Sequence, residues 1–379
     1  MANDQDFILK NALEVGKDTK VTLGTITVGA TGYNLANASY DSVSFSVAAQ
    51  ETSPQGVFLK PDGTKMYVVG NTGDDINEYN LGTAWNVSTA SFVQVFSVAA
   101  QEATPVDVSF KPDGTKMYIL GNTGVDINEY NLSTAWDIST ASYLQNFSVS
   151  GQETNPLGFF FKPDGTKMYV IGLVGVDVNE YNLSTAWNIS TASFVQVFSV
   201  AAQEATPRSV FFKPDGTKMY VAGSGGDDVN EYSLSTAWNI STSAYVQNFS
   251  VFAQDDTPRA VLFKDDGTKM YILGGTTTTI YQYSTIAYNN DVSLSTGNYF
   301  AEALAGNTTY TFSNAGAVQA FQMEITGAST YTITWPASVE WPFNGTAPNV
   351  PGAGETDIYT FVTDDGGTSY IGLLTADAV

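Results

Sequence analysis

Two arginines, Arg208 and Arg259, stand 51 positions apart in a chain that has no other arginine. A guanidinium presents a planar fork of N–H donors that fits a carboxylate bidentately, so the pair could grip the acid group of an acidic sugar. The plainer expectation is that they neutralise their neighbours Glu204 and Asp255. Carboxylates recur at the same interval. One row is Glu51, Glu102, Glu153, Glu204 and Asp255; a second is Asp75, Asp126, Asp177 and Asp228, with Thr279 in the fifth place. Acting together, such acids could hold Ca²⁺ or bond sugar hydroxyls. Acting separately, each Asp caps its own loop and each Glu is solvated. There is no Asp-x-Asp-x-Asp-Gly calcium loop, so neither a metal nor a cofactor is expected. Trp85, Trp136, Trp187 and Trp238 form a third row. Exposed, they would be sugar-stacking platforms; the favoured expectation is that each packs under the neighbouring repeat.

Other chemistry is excluded outright. The chain of 379 residues contains neither Cys nor His, which removes thiolate nucleophiles, imidazole metal sites and Ser-His-Asp mechanisms. A net charge of -23, from 38 acids against 15 bases, argues against nucleic acid, whose phosphates need a basic patch. The remaining enzymatic option is a glycan hydrolase using two carboxylates. Such a site needs unlike acids in unlike surroundings, whereas these rows repeat the same acid. A non-enzyme is therefore expected, with the hydrolase as the alternative. No basic stretch followed by an apolar run opens the sequence and no apolar segment approaches bilayer length, so neither signal-directed export nor membrane insertion is expected.

The interval itself reveals the scaffold. Lys-Pro-Asp-Gly-Thr-Lys-Met-Tyr begins at Lys60 and returns at Lys111, Lys162 and Lys213, and Lys-Asp-Asp-Gly-Thr-Lys-Met-Tyr begins at Lys264. A fixed period of this length, with four short strands per unit, marks propeller blades. In the first unit the strands are expected at 57–59, 65–69, 76–81 and 92–98. The first three strands occur five times but the fourth follows only four units. The missing copy precedes the first unit, at Ala38-Ser39-Tyr40-Asp41-Ser42-Val43-Ser44-Phe45-Ser46-Val47. An amino-terminal strand that completes the last blade covers two otherwise bare edges. The expectation is an all-β chain: an attachment segment at 1–37, a closed five-bladed β-propeller at 38–285, and a small antiparallel β-sandwich or jelly roll at 286–379. On such a ring the fourth-to-first and second-to-third loops share one face. The Pro-Asp-Gly turns and Trp-bearing loops share the other.

The Phe-Lys-Pro-Asp-Gly-Thr-Lys-Met-Tyr blade resembles the Asp-Gly-x-Lys-x-Tyr signature of YVTN and lactonase-like propellers, which identifies a fold and not an activity. At the amino end, Met1-Ala2-Asn3-Asp4-Gln5-Asp6-Phe7-Ile8-Leu9-Lys10-Asn11 resembles the opening of bacteriophage tail-fibre and virion appendage proteins. The run Thr332-Ile333-Thr334-Trp335-Pro336-Ala337-Ser338-Val339-Glu340-Trp341-Pro342, with Thr363-Asp364-Asp365-Gly366-Gly367-Thr368, resembles a carboxy-terminal β-domain of phage fibres. Trp335 and Trp341 read as its core. These resemblances imply a virion structural protein (a fibre, decoration or adsorption appendage), made in the host cytoplasm and residing in the particle. Its implied partners are other virion proteins, further copies of itself and a host surface glycan, with the candidate ligand residues Arg208, Arg259, Asp75, Asp126, Asp177 and Asp228.

Overall fold

The computed structural model describes residues 26–304, 306–327, 331–342 and 345–377; the expectations for residues 1–25 lie outside them. The described residues divide into two compact units. One is Gly32–Thr285, and the other joins Ile26–Thr31 to the chain from Ile286 onward.

In the first unit each repeat folds as an antiparallel four-stranded sheet in sequence order. The first blade runs Pro54–Leu59, Lys65–Gly70, Asp75–Leu81 and Ala90–Ser97. Its second strand carries Met66-Tyr67-Val68-Val69, all wholly buried, because neighbouring blades cover both faces; hence an unbroken apolar run where a half-exposed strand would alternate. The hairpin before it is set by local chemistry. Gly63 takes φ +71°, and the Asp62 carboxylate accepts from the Thr64 N–H at 3.0 Å and its hydroxyl at 2.6 Å. Gly63 is also where the Trp85 ring lies: a Cβ there would meet it at 2.4 Å.

The ring closes as the strand count requires. The fifth blade is Pro258–Phe263, Lys269–Gly274 and Thr279–Ser284, completed by Ser39–Ser46 from the amino end. The equivalence extends further back than the fourth strand. Tyr33, at φ +61° like Trp85 at +65°, lies on Gly267 as Trp85 lies on Gly63. Its carbonyl accepts from the Tyr220 hydroxyl at 2.8 Å, just as the Trp136 carbonyl accepts from Tyr67 at 2.7 Å. Tyr33 is thus the fifth member of the tryptophan row.

In the second unit one sheet orders Ile26–Thr31, Ala287–Ser293, Thr308–Ser313 and Ile333–Thr334. The other orders Tyr299–Ala303, Gln319–Thr326, Thr356–Thr363, Tyr370–Ala376 and Val339–Glu340. The expectation of antiparallel sheets needs correction. Ala287–Ser293 runs parallel to Thr308–Ser313, and Tyr299–Ala303 parallel to Gln319–Thr326. From Ala287 to Glu340 successive strands alternate between the two sheets, so neighbours there are separated by a strand of the other sheet and point the same way, whereas Gln319–Thr326, Thr356–Thr363 and Tyr370–Ala376 pair antiparallel. The strand at Ile26–Thr31, antiparallel to Ala287–Ser293, belongs to this sheet. Phe300, Phe321 and Phe361 fill the core. Trp335 stacks 5.2 Å from Tyr310, and Trp341 lies 5.6 Å from Trp335.

Candidate functional site

The row of loop carboxylates ties the propeller's loops together. Glu51, Glu102, Glu153 and Glu204 are at most 1% exposed and Asp255 3%, so the expectation of solvated glutamates is wrong. Each reaches from the fourth-to-first loop into the second-to-third hairpin. Glu102 accepts from the N–H groups of Thr104 at 2.7 Å, Thr123 at 3.1 Å and Gly124 at 2.9 Å. Backbone donors converging on a charged acceptor hold the two loops together. The hairpin glycine beneath leaves the room: a Cβ on Gly121 would overlap the Glu102 carboxylate.

Asp75, Asp126, Asp177 and Asp228 open the third strands. Each accepts from the Asn amide two residues on, Asn77, Asn128, Asn179 or Asn230, at 2.6–2.8 Å. Asp126 and Asp228 also accept from Asn146 and Asn248 of the fourth strand at 2.5 Å. Burial, with the charge of the nearby loop glutamate, raises their pKa values above the usual carboxylate range. The four sit one per blade and are not brought together. Among the described residues no group of three acids is arranged to hold a metal ion.

The lysines divide into two sets. Lys60, Lys111, Lys162, Lys213 and Lys264 pair with the turn aspartates at 2.6–2.7 Å. Lys65, Lys116, Lys167 and Lys218 pair instead with the buried third-strand acids Glu78, Glu129, Glu180 and Glu231, and Lys269 pairs with Asp41. Every lysine among the described residues is therefore neutralised.

The two arginines are not. Arg208 and Arg259 follow the first proline of strand one in blades four and five, at the channel end bounded by the fourth-to-first loops. Neither forms an ion pair with Glu204 or Asp255 or with any other described acid. Arg208 Nε donates to the Ser224 hydroxyl at 3.3 Å; Arg259 Nε is buried without a partner. Burial lowers both pKa values, and for Arg208 the charge of Arg259 pushes the same way, while the charges of Glu204 on Arg208 and of Asp255 on Arg259 partly oppose it. Both groups stay charged at neutral pH, so two half-buried cations stand at this end, each near a carboxylate but in ion-pair contact with none. Small hairpin residues give them space. Ser224 and Gly275 occupy the place of Asn71, Asn122 and Leu173 in the other blades, and a Cβ on Gly275 would stand 2.5 Å from Arg259 Nε.

The tryptophans pack as expected. Trp187 and Trp238 are each 9% exposed, and Trp136 and Trp238 stack on Phe58 and Phe160 of the preceding blade at 6.2 and 6.4 Å. Inside the channel, toward the Pro-Asp-Gly turns, lies a cavity of about 360 Å³ lined by Phe58, Phe160, Phe211 and Leu262. Two acids on its wall were missed, although each breaks the repeat. Asp107 stands where the other blades have Gly56, Gly158, Ser209 and Ala260, and Asp265 replaces the turn proline of Pro61, Pro112, Pro163 and Pro214.

A closed five-bladed propeller with one polar and one apolar channel end is thus the class of protein defined here. No family model matches the chain, and no curated protein matches it. Solved structures share the blade architecture distantly. A functionally unknown protein from Desulfotomaculum acetoxidans is 13% identical, with a TM-score of 0.38, over 58% of this chain and 62% of that one. A candidate 6-phosphogluconolactonase from Bacteroides uniformis is 13% identical, at 0.38, over 58% and 63%. The periplasmic gluconolactonase of Pseudomonas aeruginosa is 15% identical, at 0.39, over 61% and 66%. The chain spans less than two thirds of the length of these structures. Nothing about ligand or reaction travels with so distant a likeness.

Proposed function

We propose that the chain is a bacteriophage virion appendage protein that works by binding, and that Arg208 and Arg259 take a carboxylate of an acidic host glycan. One observation carries the ligand reading: ten lysines of the propeller form ion pairs with acids, while its two half-buried arginines, whose only nearby carboxylates stay out of contact, form none. An anion between two such guanidiniums gains charge-assisted bonds and relieves their repulsion. The repeated acids support binding over catalysis, because each is spent on its own backbone or amide donors. The fibre-like sequences at both ends support the virion context. Exposed apolar rows on the outer strands, such as Phe92, Val93 and Val95, support association with further copies.

A second reading, as a glycan hydrolase, is favoured by Asp107, an acid singular to blade two whose burial raises its pKa to about 7. Release of reducing ends from an acidic polysaccharide, abolished by Asp107→Ser, would establish that reading against binding alone. For the virion context, mass spectrometry of purified particles should find the protein in stoichiometric amount, and its absence from them would refute it.

A further inference from the structure

The channel cavity has neither arginine in its wall, although Ser209 and Ala260, which follow them, line it, and its chemistry is opposite. Its wall is mostly aromatic and aliphatic, and no lysine or arginine contributes to it. The size falls in the range of small-molecule sites, which are apolar pockets with a few placed polar groups. Beside Ser109 and Ser209 the wall carries two acids, Asp107 and Asp265, and both interrupt the five-fold repeat. Asp107 accepts from the Val108 N–H at 2.8 Å through one oxygen and from the Phe159 N–H at 2.9 Å through the other. Two backbone bonds leave its remaining lone pairs free, and the half-buried side chain lines the cavity. Blade four shows that capping this kind of N–H needs no acid: Ser209 does so for Val261 at 3.2 Å with a hydroxyl. A carboxyl group therefore exceeds the structural requirement at Asp107. Asp265, an exposed residue of the fifth-blade turn, also lines the cavity, and its side chain forms no ion pair, since Lys264 pairs with Asp266.

We infer that this cavity binds a small aromatic or aliphatic amine, its apolar body among Phe58, Phe160, Phe211 and Leu262 and its ammonium group bonded to Asp107 or Asp265. Aromatic faces favour a cation further, and acids in a wall that holds no basic residue disfavour an anion of the same shape. The inference does not depend on the arginine site at the other end.

Isothermal titration calorimetry of the whole chain with tryptamine, and with indolepropionate as the anion of similar shape, tests it. Tryptamine should saturate one site per chain and indolepropionate should bind at least tenfold more weakly. Asp107→Ser, which copies blade four and keeps the N–H cap, and Asp265→Asn, which lies at the surface, should between them identify the ammonium partner by a loss of about tenfold. Arg208→Gln with Arg259→Gln should leave tryptamine binding unchanged. Equal affinity for the two ligands, no saturable binding of tryptamine, or full affinity in both aspartate variants would each overturn the inference.

Discussion

Asp41 and Lys269 lie 2.6 Å apart although 228 residues separate them in the chain. In the first four blades the equivalent lysine pairs with a buried glutamate of strand three, which also accepts from a strand-four glutamine, as Glu78 does from Gln94 at 2.8 Å. The closing blade exchanges these roles. Strand three has Gln282, whose amide donates to Asp41 at 3.0 Å while its oxygen accepts from the Val87 N–H at 3.4 Å. The acid has moved onto the amino-terminal strand. Pairing that strand with any other blade would set two acids together, and pairing another fourth strand here would leave Lys269 without one. This distribution selects one closure of the ring.

Asp41→Ala should therefore destabilise the propeller by about 1–3 kcal/mol in denaturant unfolding, by orphaning Lys269 and the Gln282 amide. Adding Gln282→Glu, with glutamine at position 41, restores the arrangement of the other blades and should recover most of the loss. No recovery in the double variant would show that the exchange has no role in closure.

Tyr33 closes the other side of the same joint. Tyr33→Ala should cost about 3–5 kcal/mol, because it empties the space between Gly267 and Phe263. Tyr33→Trp, the residue used by four blades, should be tolerated. Thermal unfolding that ranks tryptophan with alanine would contradict the equivalence.

Stability should vary with pH in two windows. Burial outweighs the N–H bonds at Asp107 and raises its pKa to about 7, whereas an unfolded chain ionises it near 4. Between those values only the folded state holds the proton, so stability falls as pH rises and stays lower above 7. Asp107→Ser removes that penalty, and its advantage over the parent should grow between pH 5 and pH 8 by about 2–4 kcal/mol.

The turn aspartates behave in the reverse sense. Burial is the largest single influence and raises them, but the bonds from Lys60 and Thr64 at Asp62, with the lysine's charge, and their copies at Asp113, Asp164 and Asp215, together outweigh it and hold these acids at about 2. Their contribution is present above about pH 4 and is lost as pH falls toward 2. They are exposed, so each adds little. Asp113→Asn should flatten the acid limb of a melting-temperature profile slightly and leave the neutral limb unchanged.

The repeat made the propeller legible because identical residues recur at a fixed interval, and the strand deficit located Ser39–Ser46. Tyr33 escaped because tyrosine stands for tryptophan and the added residue in Tyr40-Asp41-Ser42-Val43 shifts the match; aligning Tyr33-Asn34-Leu35 with Trp85-Asn86-Val87 would have found it. The arginines could be chosen from sequence as exceptions to the repeat, but whether Glu204 and Asp255 neutralised them was a matter of side-chain direction, which spacing does not contain. The same holds for the loop glutamates, where periodicity gave the row and only packing showed it buried. Asp107 and Asp265 were visible as departures from the repeat. They were passed over because attention to recurring acids hides singular ones. In the second unit, alternation of strands between sheets leaves no mark in period-two patterning, so parallel pairing was not readable.

Calorimetric titration of the parent chain and the Arg208→Gln, Arg259→Gln double variant with an oligogalacturonate tests the binding claim most directly. The parent should bind with an affinity that weakens as salt rises, and the double variant should lose at least about tenfold. Equal binding by both proteins, or none by the parent across a set of acidic glycans, would contradict it.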